Sequence, residues 1–97
     1  MSYTVYIVEC ADGTYYTGYT NNLDRRIWEH NNSDRGAKYT HTRRPVHLIW
    51  NEDFDTRKEA MRCEREIKSL TRHQKELIVD SLWKNITEGM NLKKGLK

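Results

Sequence analysis

The chain has 97 residues, 36% of them hydrophobic and 32% charged, with a formal net charge of +3. That length builds one domain with one modest core, and six tyrosines and three tryptophans set it among folding globules, not disordered polar chains. No apolar stretch nears the roughly 18 residues of a membrane span, and the charge balance is too mild to name a partner by itself.

The opening Met-Ser-Tyr-Thr-Val has neither the basic region nor the cleavage site of a secretory signal. Cys10 and Cys63 are a lone pair without metal-ligand spacing. The expectation is a cytoplasmic protein whose thiols stay reduced.

Tyr3 to Cys10, a run of Tyr, Thr, Val and Ile, reads as a strand, and Thr14 to Thr20 as a second one after the turn signal Ala11-Asp12-Gly13. The loop length decides which side chains share a face. A two-residue Asp12-Gly13 turn would put Tyr6 and Tyr16 on opposite faces. A three-residue loop, with Gly13 left-handed in a bulge, pairs Cys10 with Thr14 and Tyr6 with Gly18, and sets the two phenols diagonally on one face. The three-residue loop is the prediction, with Gly18 leaving open space across from Tyr6 and Tyr3, Tyr15 and Tyr19 packing on the other face.

Asn21 and Asn22 are suitable N-caps for a helix whose Leu23, Ile27 and His30 form the inward stripe. Arg26 lies beside that stripe, one turn from His30 and within reach of Glu29. The helix should stop in the turn formers of Asn31 to Gly36. Gly36 to Asn51 holds Lys38, Arg43 and Arg44 and no acid, a locally basic loop and a candidate phosphate footprint.

Val46 to Trp50 reads as a third strand that fades into Asn51-Glu52-Asp53. Thr56 and Glu59 form a capping box that opens a helix with Ala60, Cys63, Ile67 and Leu70 on one stripe. Gln74 to Trp83 continues as another helix. The prediction is a small α+β domain over residues 1–86, with a three-stranded antiparallel sheet in the order β-β-α-β-α-α, followed by a basic tail at 87–97.

Two phenols, a glycine and a guanidinium suit a phosphodiester, since phosphate favours a planar cation and an attacking water needs an orienting oxygen. At these residues the chain resembles a known family. Val5-Tyr6 and Tyr16-Thr17-Gly18 resemble the two halves of the GIY-YIG nuclease signature, with Thr4, Val5 and Thr17 in place of a glycine and two isoleucines. Asn22-Leu23-Asp24-Arg25-Arg26 resembles the stretch holding that family's catalytic arginine, and His30 matches a histidine of several branches. Glu59-Ala60, Glu64 and Ile67-Lys68 resemble the segment with the metal-binding glutamate. Periodicity alone does not choose between Glu64 and Glu66; the resemblance selects Glu64. Gly36 to Thr40 and Arg43 to Val46 are most like the small single-domain bacterial members.

The resemblance implies hydrolysis of nucleic-acid phosphodiesters, of DNA before RNA. It implies one weakly bound Mg²⁺ or Mn²⁺ on Glu64, Arg26 on the phosphate, and Tyr6 at the attacking water with Tyr16 in support. His30 would relay a proton or contact phosphate, and Lys38, Arg43 and Arg44 would hold nucleic acid. The rival is a non-catalytic nucleic-acid-binding module on the same scaffold. Nothing in the sequence calls for a membrane, a dimer or a protein partner.

Overall fold

The computed structural model describes residues 2–87, with side chains through residue 80. The elements run β1 (Tyr3–Glu9), β2 (Tyr15–Thr20), α1 (Leu23–Asn32), α2 (Lys38–His41), β3 (His47–Phe54), α3 (Arg57–Lys68) and α4 (Arg72–Thr87). This is the expected α+β order with one short helix added. Of the expected tail, Thr87 closes α4 and residues 88–97 lie outside the described residues.

The sheet is antiparallel in the order β2-β1-β3. Its middle strand is covered on both faces, so Thr4 to Val8 are all buried and the usual in-out alternation is lost there. On one face Val5, Ile7 and Trp50 pack with Ala60 and Ile67 of α3, flanked by Tyr3, Tyr15 and Tyr19. On the other, Tyr6, Val8, Cys10 and Val46 pack with Tyr16 and with Leu23 and Ile27 of α1. The two core clusters thus separate the tyrosines as the alternation predicts.

The hairpin carries the three-residue loop. Gly13 sits at φ +84°, a left-handed conformation that glycine adopts without strain. Cys10 N donates to Thr14 O at 2.8 Å and Gly13 N to Cys10 O at 2.9 Å, and Tyr6 lies opposite Gly18, although the space there is not open as expected, because the Tyr6 ring itself leans over the glycine and fills it. Asp12 Oδ1 accepts from Thr14 N and Thr14 Oγ1, the side-chain stitching expected of an aspartate in a turn.

Asn22 caps α1, accepting from Arg25 N at 3.1 Å. At the other end Arg44 donates to backbone carbonyls at the helix terminus, where intrahelical donors run out. Its Nε donates to His30 O at 2.6 Å, and its Nη2 to Glu29 O and Ser33 O. In α3, Thr56 and Glu59 form the anticipated capping box.

Two boundaries differ from expectation. The basic stretch after Gly36 is not wholly loop, because Lys38–His41 coil into α2, with Thr40 N and His41 N both donating to Ala37 O. The third strand does not fade at Asn51 but continues to Phe54, because β1 supplies a ladder partner for each residue, Asn51 to Tyr6 through Phe54 to Tyr3. Thr4 Oγ1 also donates to Asp53 Oδ1 at 2.6 Å. Ile49 is an extra residue opposite the Ile7–Val8 step, a bulge in β3.

Candidate active site

A cleft of about 510 Å³ runs along the outer edge of β2, one of the two edge strands. Both faces of β2 reach it, through Tyr16 and Gly18 on one and Tyr19 on the other, and α1 and α3 wall it on either side. Tyr6, Tyr16, Arg26 and Glu64, from four separate elements, all line it.

Beneath the cleft lies a buried polar chain. Thr40 Oγ1 donates to Ala37 O at 3.0 Å, so toward His30 Nδ1, 2.8 Å away, it presents a lone pair. Those partners assign the ring proton to Nδ1 and leave Nε2 as an acceptor. The Tyr6 hydroxyl, 2.7 Å from Nε2, is then the donor. His30 and Thr40 are wholly inaccessible and Tyr6 is 1% exposed. The His30 ring also meets the edges of Tyr6 and Tyr16, at centroid distances of 5.7 and 5.3 Å.

Burial sets both protonation states. It pushes the Tyr6 phenol up to about 12, against the pull of the nearby Arg26 guanidinium, with Tyr16 and Glu64 adding to the rise. The arginine therefore does not win against desolvation, and Tyr6 rests as a neutral phenol. Burial, reinforced by Arg26 and Arg44 and opposed by Glu29, pushes His30 down to about 4, so it rests as neutral imidazole.

Because the unfolded chain would bind a proton at His30 near pH 6.5 and the folded chain only near pH 4, stability rises with pH across that window. Falling from about pH 6.5 to pH 4 is expected to remove about 3 kcal/mol of unfolding free energy, on top of any carboxylate effect. Urea melts of wild type and His30→Gln at several pH values check this, and an equal acid sensitivity in both proteins would refute it.

Arg26 is aimed by two acceptors, Glu29 Oε1 at 3.0 Å and Arg35 O at 2.7 Å. Glu64 lines the cleft with its side chain 19% exposed and Lys68 Nζ at 3.3 Å. Glu66 faces away, beside Arg62 in a separate depression with Glu52 and Cys63. Among the described residues no three His, Cys, Asp or Glu side chains form a metal cage. The cleft's other carboxylate, Glu29, is engaged by Arg25 and Arg26. Glu64, with a single lysine as counter-ion where Glu29 has two arginines, is the carboxylate in this cleft that suits a hard ion such as Mg²⁺, which keeps most of its waters and relies on substrate phosphate.

Lys38, Arg43 and Arg44 do not line the cleft. Lys38 is exposed on α2. Arg43 donates to Asp12 Oδ2 and Tyr39 O and lies 4.0 Å over the Tyr39 ring, and Arg44 serves the end of α1. Sequence reasoning passed over Thr40, whose hydroxyl fixes the His30 tautomer, and Arg57, which lines the cleft and donates to Tyr19 Oη at 3.2 Å. Thr40 had no sequence signal, since its role depends on the fold of a non-periodic stretch. Arg57, at the start of a capped helix, could have been noticed as a cation near the sheet.

Residues 2–77 match the family model described as the GIY-YIG catalytic domain. A UPF0213 protein of Halobacterium salinarum is 58% identical over 76% of this chain and 95% of its own. The UPF0213 protein YazA of Bacillus subtilis is 51% identical over 77% of this chain and 75% of its own. The solution NMR structure of a UPF0213 protein from Bacillus halodurans superposes with a TM-score of 0.55 at 50% identity, covering 82% of this chain and 84% of that one. A protein of E. faecalis, also solved by NMR, gives 0.60 at 46%, covering 84% and 86%. With its motif halves paired across one hairpin and the family match spanning most of its length, the chain belongs to the GIY-YIG catalytic domain family.

Proposed function

We propose that this chain is an endonuclease that hydrolyses DNA phosphodiester bonds with one divalent ion, in the cytoplasm, where its unpaired Cys10 and Cys63 stay reduced. The observation that carries this reading is the convergence of Tyr6, Tyr16, Arg26 and Glu64 on one cleft. Phosphate binding alone would use the arginine but has no need of a carboxylate such as Glu64 facing the same cleft.

Arg26, held by Glu29 and Arg35, donates to the non-bridging oxygens of the scissile phosphate and stabilises charge as it builds there. The attacking water donates to the Tyr6 oxygen, while the Tyr6 proton is already on its way to His30 Nε2. A free phenolate with a pKa of about 12 is thereby avoided: the water proton moves to Tyr6 as the Tyr6 proton moves to the imidazole. Thr40 keeps Nδ1–H pointed away, so Nε2 is always the receiving atom. Phosphate entering the cleft brings negative charge near His30, which favours the imidazolium. Tyr16, its ring braced by His30 and Tyr39, supports the water from the adjacent position. Glu64 would hold Mg²⁺ or Mn²⁺, which supplies Lewis-acid stabilisation to the leaving oxygen.

The test is cleavage of blunt, nicked, flapped and branched DNA with Mg²⁺ or Mn²⁺. Wild type is expected to cleave at least one of them and to stop on chelation. Arg26→Ala is expected to lose on the order of 10²-fold in rate, and Glu64→Gln to need much more metal for half-maximal rate. Absence of cleavage across the panel, or cleavage indifferent to both substitutions, overturns the reading.

A further inference from the structure

A second hollow, of about 270 Å³, lies on the same β2 edge nearer the hairpin, lined by Thr14, Tyr15, Tyr39, Leu70, Arg72 and Lys75. It abuts the cleft through Tyr16, which lines the cleft and stacks on Tyr39 at a centroid distance of 6.0 Å. From Tyr15 to Gly18 is three residues of strand, roughly 10 Å at about 3.3 Å per residue. At the 3.4 Å rise of a stacked strand, that is roughly three nucleotides.

Two side chains give this hollow its chemistry. Arg72 lies over the Tyr15 ring, its Cζ 4.3 Å from the centroid. It is pinned by Glu76 Oε2 at 3.1 Å and by the Gly13 carbonyl, and yet remains 49% exposed. A guanidinium held over an aromatic ring and still half exposed offers a planar group on which an unpaired base can stack. Lys75 is half-buried, and among the described residues its polar side-chain partner is neutral, Thr17 Oγ1 at 3.1 Å. Lys68, the neighbouring ammonium, is paired with Glu64. Among the described residues Lys75 is thus a positive charge with no balancing carboxylate, in a hollow that adjoins the cleft, which suits a phosphate.

We infer that this hollow is a subsite for one unstacked nucleotide of the strand being cut, with its base on the Arg72 guanidinium and its phosphate on Lys75. The inference rests on the nuclease reading above and narrows its substrate to DNA with a single-stranded or flapped segment a few nucleotides from the scissile bond. The volume is below the roughly 300–1,000 Å³ of sites that enclose a drug-sized ligand, as befits one base lying on a platform.

The test measures fluorescence anisotropy of labelled DNA in the Tyr6→Phe background, so that binding is read without cleavage. The probes are a blunt duplex, the same duplex with a single-stranded extension, and extensions carrying one abasic site at successive positions. Arg72→Lys keeps the charge and loses the plane. It is expected to weaken binding of the extended duplex about tenfold, to leave the blunt duplex unchanged, and to have no effect on the probe that is abasic at one particular position. Lys75→Ala is expected to lower the salt slope for the extended duplex by about one phosphate contact. Equal weakening of all probes by Arg72→Lys, or an unchanged salt slope in Lys75→Ala, overturns the subsite. If wild type cleaves DNA but these binding differences are absent, only the subsite falls. If the binding pattern holds and wild type cleaves nothing, only the nuclease reading falls.

Discussion

Tyr6→Phe is expected to slow DNA cleavage by about 10²- to 10⁴-fold, the range for losing a positioned proton-transfer group, while leaving DNA affinity where it was. The phenol oxygen is the one atom removed: it donates to His30 Nε2 at 2.7 Å, and in the proposed reaction it would also accept from the attacking water. The substitution also orphans a buried acceptor, which costs about 1–3 kcal/mol of stability. That is within the reserve of an ordinary domain, so the variant should fold and still bind. Single-turnover rates beside anisotropy titrations separate the two effects. A variant that cleaves as fast as wild type would remove Tyr6 from the water and leave it a packing residue.

Gly18→Ala is expected to damage both fold and activity more than its one methyl group suggests. A Cβ at Gly18 would sit 2.5 Å from Tyr6 Oη and 2.7 Å from Tyr6 Cζ. Tyr6 has no room to yield, being buried and tied to His30. Overpacking of this kind costs about 1–3 kcal/mol, and any shift that relieves it lengthens the Tyr6–His30 bond. Cleavage should therefore fall along with stability. In Tyr6→Phe the closest of these contacts is gone, so Gly18→Ala should cost less stability there than in wild type. Thermal melts of the four proteins give the coupling, and strict additivity would show that the glycine serves the backbone and not the tyrosine.

Much of this site was legible because its determinants are local. Gly13, in a bulged three-residue loop, fixes the hairpin register, and the register puts Tyr6 opposite Gly18 and on the face of Tyr16. Asn22 and the Thr56–Glu59 box announced their helices by side chains that satisfy backbone N–H groups. What stayed hidden depends on tertiary placement. α2 has four residues and no side-chain cap, too short to show a period. Asn51-Glu52-Asp53 have poor strand propensity and are held by their pairing with β1. Arg44 looks in sequence like a surface cation, and only the fold reveals the helix end that uses it. Glu64 and Glu66 are equivalent by pattern, and the sheet edge tells them apart.

The cleft runs along an edge strand, and that has a consequence apart from the proposed chemistry. An unpaired strand edge is a template for another chain and a route to aggregation, commonly blocked by charge and bulk. Along β2 the cations Arg57, Arg72 and Lys75 and the rings of Tyr15, Tyr16 and Tyr19 occupy that border. The groups suited to receiving a polyanion are therefore also those that discourage strand-to-strand association, so neutralising them for tighter packing would weaken colloidal stability and, on the proposed function, substrate capture with it.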